Sequence, residues 1–232
     1  MQVSLVKSSF YFTYIFLITT GTICFIEALR NPVPQIRHIM NLETCISVVA
    51  GYFYGLFVEK INKAEKESQE KNNDSEENKE LPLEKINDMR YTDWVISTPL
   101  MLLVLCMVLG YENKITVTFL PFIGILLFNF LMLGVGYLGE LGKLTLTLAN
   151  SIGFVFFFIM YGIIWKIYMT GSKITTQSKV IFWLFVGLWA MYGVFYQSPQ
   201  MTKIFGYNIL DLLAKAFVGI FFWFYLTKSI KF

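Results

Sequence analysis

Cysteine is scarce in this chain. Its 232 residues include three, Cys24, Cys45 and Cys106, each inside an apolar run. Placed there they read as small buried apolar residues rather than as disulfides or metal ligands, and no metal site is expected. Charged residues are also few, 15% of the chain, and almost no sequence is left over for a soluble domain. No internal repeat is evident. The first apolar run has no small-residue cleavage site behind it and ends in Glu27, Arg30 and Pro32. It therefore reads as a spanning helix, not a signal peptide. The formal net charge of +3 is accounted for by short loops and requires no nucleic-acid partner.

What the chain has instead is apolar length. Hydrophobic residues make up 56% and aromatic residues 18%, with a mean hydropathy of +0.57, far above a soluble domain. Crossing hydrocarbon about 30 Å thick takes roughly 20 apolar residues. Seven runs are long enough: Phe10 to Leu29, Ile39 to Val58, Tyr91 to Leu109, Ile115 to Leu138, Leu144 to Ile167, Val180 to Tyr196 and Ile209 to Leu226. They are apolar on every face, whereas a β-barrel needs short alternating segments. The fold expected is an all-α membrane protein, a seven-transmembrane helix bundle forming one domain over residues 1–232. A multi-pass location in a lipid bilayer follows.

Orientation follows from the basic residues. With the N-terminus extracellular and the C-terminus cytoplasmic, the inner segments carry Arg30, Arg37, Lys114, Lys166, Lys173, Lys179, Lys228 and Lys231. The short outer segments carry only Lys7, Lys143 and Lys203. The one long polar segment, residues 59–88, holds ten carboxylates against six lysines and reads as an extracellular loop between helices 2 and 3. Glu and Lys spacings in its first half would let helix 2 run on past the membrane, and Pro82 lies in its second half. Asn73-Asp74-Ser75 matches a glycosylation sequon, relevant only in a secretory pathway.

Ionisable side chains inside a membrane cost on the order of 2.5 to 3.5 kcal/mol each on insertion scales, so each is a functional candidate. Glu43 lies in the second run, Asp93 in the third, and Asp211 and Lys215 in the seventh, with Arg90 at the mouth of the third. Lys215 has a long apolar stretch after it and cannot snorkel to water. Asp211, four residues earlier, shares its helical face and can pair with it. A buried ion pair is one reading. The other is covalent chemistry, since a desolvated amine condenses with an aldehyde to a Schiff base. Arg90 and Asp93 share a face on the third helix, and together the four groups balance two positive charges against two negative.

Arg90-Tyr91-x-Asp93-Trp94 followed by Ser97-Thr98-Pro99-Leu100, with Asp211-x-x-x-Lys215 on a seventh helix, resembles the microbial (type 1) rhodopsins. Gly136-Tyr137-Leu138-Gly139-Glu140 looks like the fourth-helix stretch of proteorhodopsins, and Trp189-Ala190-Met191-Tyr192 like the sixth-helix pocket. The run from Tyr207 to Asp211, with Gly193 where many relatives have proline, is most similar to rhodopsins encoded by giant viruses. That would place the chain in a host-cell membrane.

The resemblance implies all-trans retinal bound as a Schiff base to Lys215, with Asp93 and Asp211 as counterions and Arg90 bridging outward. It implies a chromophore pocket of Trp94, Thr98, Met101, Met132, Trp189 and Tyr192. Ser97 would donate to the counterion, Thr98 and Asn129 would link the third and fourth helices, and an apolar Met101 suggests green rather than blue absorption. It further implies assembly into trimers or pentamers.

The signature positions that sort such proteins read Asp93, Ser97 and Val104. Familiar outward proton pumps carry a carboxylic acid at the third, and Val104 cannot donate a proton. The paired outer glutamates of archaeal pumps are also missing; Lys203 stands about where one would be. Aligning Ala50 and Tyr54 to the second-helix pattern puts Glu43 in the cytoplasmic half near Val104, as a displaced donor or a gate. Alternatively Glu43 pairs with Arg37 or faces a neighbouring protomer. Two transport activities remain open, an outward proton pump and a light-gated ion channel, with a photosensor less favoured. Sodium pumps, chloride pumps and inward pumps of the xenorhodopsin kind fit poorly, because Asp93 and Asp211 are both present.

Overall fold

A computed structural model describes residues 3–70, 82–171 and 174–227. The sequon at Asn73 and the lysines Lys173, Lys228 and Lys231 lie outside the described residues. Among those residues all regular structure is helical, in seven long helices: α1 (Val3–Arg30), α2 (Pro34–Glu70), α3 (Leu83–Asn113), α4 (Phe119–Glu140), α5 (Leu146–Tyr168), α6 (Thr176–Tyr196) and α7 (Gln200–Thr227). All seven are long and apolar enough to cross a membrane. Consecutive helices pack in sequence order, and α7 returns to close against α1.

The helices outrun the apolar runs because a helix need not stop where the hydrocarbon does. The clearest case is α2, which continues as helix through the acidic segment to Glu70. It is tied back to the start of α1 by Lys7 Nζ to Glu65 (2.5 Å) and Tyr11 Oη to Asn62 (2.5 Å). Residues 59–70 and 83–88 are therefore helical extensions, not loop. The fourth helix begins later than the apolar run starting at Ile115, because Lys114 takes the left-handed conformation (φ 57°) and ends α3, with Ile115 N–H bonding Gly110 O (2.9 Å). Thr145 and Thr175 start α5 and α6 by accepting the N–H of Leu148 and Ser178.

In lipid, helices associate through close packing of small residues rather than through hydrophobicity. Ser47, Gly51 and Gly55 recur every fourth residue of α2, and opposite them lie Gly21, Ile18 and Tyr14 of α1. Large apolar side chains such as Phe12, Phe119 and Phe158 point outward. Cys24 and Cys106 are buried, but Cys45 is exposed on the outer face of α2, contrary to expectation. It lies two residues from Glu43 and so on the opposite side of the helix.

Within α7 the backbone widens into a π-helical segment, Leu212–Phe217, with Lys215 inside it. Such segments inside α-helices occur frequently at functional sites. Pro99 sits inside α3, where its missing N–H removes one bond of the helix ladder.

Candidate functional site

The intramembrane charges converge. Lys215 Nζ lies 2.6 Å from Asp93 Oδ2 and 3.5 Å from Asp211 Oδ1, so the aspartate on the facing helix, not the one on its own helix, is the nearer partner. Arg90 Nη1 donates to Asp211 Oδ2 (2.8 Å) and to Tyr54 Oη (3.1 Å), and Nη2 donates to Asn208 Oδ1 (2.6 Å). Tyr54 and Tyr192 donate to the two oxygens of Asp211 at 2.9 and 2.8 Å. Two cations and two anions thus neutralise one another away from water. All four are essentially unexposed.

Arg90 does not stand at an open mouth. Its guanidinium lies 5.2 to 5.9 Å from the rings of Phe10, Tyr54, Phe57 and Tyr207, a cation held over aromatic faces. Asn208 extends the network: Nδ2 donates to Ser9 Oγ (2.8 Å), and its carbonyl accepts from Thr13 (3.0 Å). Neither Tyr54 nor Asn208 was assigned a site role from sequence. Asn208 lies three residues before Asp211, one turn away on the same face, and that spacing was the available signal.

Beside Lys215 opens a cavity of about 120 Å³. Trp94, Thr98, Met101, Met132, Trp189 and Tyr192 all line it. Lining residues not anticipated include Leu133, Asn150, Phe154 and Phe157. Gly193 lies here too, and a Cβ on it would meet the Phe154 ring at 2.6 Å. Asn150 Nδ2 donates to the Gly193 carbonyl (3.1 Å), joining α5 to α6.

Ser97 and Asn129 do not line the cavity. Asn129 Nδ2 donates to Thr98 Oγ1 (2.8 Å), joining α4 to α3. The expected bond from Ser97 to Asp93 is not made: Ser97 Oγ and Asp93 Oδ1 are both buried without a partner among the described residues.

Glu43 is 2% exposed and forms no ion pair with Arg37. Its carboxylate rests against α7, where a Cβ on Gly219 would lie 3.0 Å from Oε2. Gly219 is four residues past Lys215, so Glu43 approaches the lysine's helix one turn along. Of the alternatives left open for it, pairing with Arg37 and facing a neighbouring protomer do not match this position. Val104 is buried as well.

A second lysine of α7, Lys203, is also buried, but Glu140 at the end of α4 grips it at 2.9 and 3.2 Å. It does not line the cavity.

Residues 5–229 match the family described as bacteriorhodopsin-like protein. The chain belongs to that family. The fold overlays a viral rhodopsin, OLPVRII, with a TM-score of 0.85 and 41% identity, covering 98% of this chain and 100% of that one. Opsin-1 of Neurospora crassa is 29% identical over 158 residues, which span 60% of this chain and 48% of that protein. The chain thus covers about half the length of that curated relative. A blue light-absorbing proteorhodopsin from Med12 shares the fold at a TM-score of 0.74 and 20% identity, covering 97% and 98% of the two chains. The bacteriorhodopsin-like chain is a multi-pass membrane protein, and members of its family bind retinal through a Schiff-base lysine.

Proposed function

We infer that this chain is a light-driven outward proton pump that holds retinal on Lys215 and keeps its inner proton donor on α2, at Glu43. The observation that carries the reading is the contact of Lys215 Nζ with Asp93 Oδ2, 2.6 Å, at one end of an apolar cavity. The residues present fit the cofactor. Aromatic and methionine walls suit a polyene, one buried amine stands at the end, and Trp189 Nε1 points into the protein without a partner among the described residues. Lys215 would carry all-trans retinal as a Schiff base, with Trp94, Thr98, Met101, Met132, Trp189 and Tyr192 around it. Bound there, retinal supplies isomerisation on absorbing light.

The chain's own groups handle the proton. Asp93 Oδ2 is within hydrogen-bond distance of Lys215 Nζ and is placed to receive a proton from it. Asp93 Oδ1 has no competing partner, so uptake there breaks no further protein bond. Asp211 differs: Arg90, Tyr54 and Tyr192 occupy its oxygens, so it serves as a fixed counter-charge. Arg90 is enclosed by the rings of Phe10, Tyr54, Phe57 and Tyr207 and holds Asp211 charged beside Lys215. With the N-terminus outside, as the basic residues argue, Glu43 lies on the cytoplasmic side of Lys215, where Val104 offers no carboxyl.

Illuminated vesicles or cells should acidify the outer side with no imposed voltage, and Asp93→Asn should abolish the signal. Retained outward pumping in that variant would overturn the assignment of Asp93. A light-gated channel is the second reading, favoured by the buried polar residues Ser9, Thr13, Thr20, Glu43, Ser47 and Asn208 along the seam of α1, α2 and α7. A photocurrent that reverses sign with the electrochemical gradient would establish it.

A further inference from the structure

We propose that Ser47 relays the proton between Glu43 and Lys215, an inference that rests on Glu43 being the inner donor. Two contacts fix how α2 lies along α7. Glu43 meets α7 at Gly219, and Tyr54 meets it at Asp211 and Asn208. The two helices therefore run antiparallel, and Ser47, four residues from Glu43 toward Tyr54, lies level with Lys215 and Ala216. A third helix agrees. The Cβ position of Gly21 is 3.0 Å from Ser47 Cβ, and the adjacent Thr20 donates to the Ala216 carbonyl at 3.2 Å.

Orientation agrees with level. At 3.6 residues per turn, Ser47 is rotated by about 40° from Glu43 and about 20° from Tyr54 around α2. It thus sits between the face that meets α7 and the face that meets α1. Its hydroxyl is fully buried and has no partner among the described residues. Packing of α1 against α2 asks only for a small residue there, and an alanine would satisfy it. The hydroxyl is an extra polar group in a place where burying one unpaired is costly.

Glu43 lies against Gly219, one turn past Lys215, whereas the lysine nitrogen is directed the other way, to Asp93 and Asp211. Carboxyl and nitrogen are therefore not in contact, and about one turn of helix, ~6 Å, lies between Glu43 and the level of Lys215. A hydroxyl with water on either side bridges such a gap because it accepts one proton while donating another. In the step proposed, the Glu43 O–H bond breaks and its proton enters a chain of water and Ser47. Ser47 Oγ gains that proton and passes on its own, and the last water O–H delivers a proton to the Lys215 nitrogen. Glu43 is left as a carboxylate and is reloaded from the inner side. Thr20 is a weaker candidate because its hydroxyl hydrogen is already given to Ala216. The other ionisable groups near Glu43 are Cys24 and, a turn further on, Glu27 with Arg30, all on α1.

The test is flash spectroscopy of the retinal-loaded protein, following reprotonation of the Lys215 nitrogen in wild type, Glu43→Gln, Ser47→Ala and Ser47→Thr across pH. Infrared spectroscopy of the retinal-free chain, reading the Glu43 carboxyl band identified by its loss in Glu43→Gln, accompanies it. Ser47→Ala should slow reprotonation about a hundredfold and make its rate follow bulk proton concentration, as expected when a positioned proton-transfer group is lost. Ser47→Thr should restore the rate, and the carboxyl band should shift in Ser47→Ala. A wild-type rate in Ser47→Ala, with Glu43→Gln still slow, would overturn the relay and leave the donor standing. A wild-type rate in Glu43→Gln would overturn both.

Discussion

Two lysines of α7, twelve residues apart, show how little residue type alone says. Both are buried, but Lys203 is held by both oxygens of Glu140, whereas Lys215 borders the cavity and faces Asp93. Lys215→Ala should therefore give a colourless protein with no retinal attached after denaturation, while Lys203→Ala should still bind it. Absorbance before and after acid denaturation checks both. Lys215, Asp93 and Asp211 were legible in the sequence because a charge in an apolar run stands out. Asn208 and Tyr54 did not stand out, being neutral groups that become important only through the arginine folded against them. Ser97 marks the opposite limit: its place one turn from Asp93 was correctly read, and its hydrogen bond was not, because spacing gives the face of a helix but not a side-chain rotamer.

At the scale of elements, glycine and helix length carry the predictions. Gly219 lets α7 pass close to Glu43 and Thr20: a Cβ there would lie 2.8 Å from Thr20 Cγ2 as well as 3.0 Å from the glutamate. Gly219→Ala should destabilise the fold by about 1 to 3 kcal/mol, an overpacking cost, measured by denaturation of the retinal-bound protein. The extension of α2 makes a contrasting prediction. Lys7 and Glu65 keep part of their surface in water, so Glu65→Ala should cost less than about 1 kcal/mol in the same measurement. Charge composition alone read residues 59–88 as one loop. Helical continuation was visible in the Glu and Lys spacing, but the contacts of Lys7 and Tyr11 that hold it come from the far end of another helix.

Across the whole molecule, the Lys203–Glu140 pair fastens the start of α7 to the end of α4, while the Arg90 cluster fastens its middle to α2 and α3. Removing one partner of a buried pair leaves a charge uncompensated, so Lys203→Met should lower stability by about 3 to 5 kcal/mol, with Glu140→Gln added to the same chain recovering part of the loss in equilibrium unfolding. Composition and run length were enough to specify seven spanning helices, since hydrocarbon leaves a backbone few ways to satisfy its hydrogen bonds. That Lys215, Asp93 and Asp211 mark a buried charged site was legible for a related reason: charge placed inside a membrane is costly. Which aspartate touches the lysine, where Arg90 turns, and that Glu43 rests on Gly219 instead of pairing with Arg37 are properties of helices brought together from distant parts of the chain. Local periodicity places a residue on a face; packing between helices chooses what that face meets.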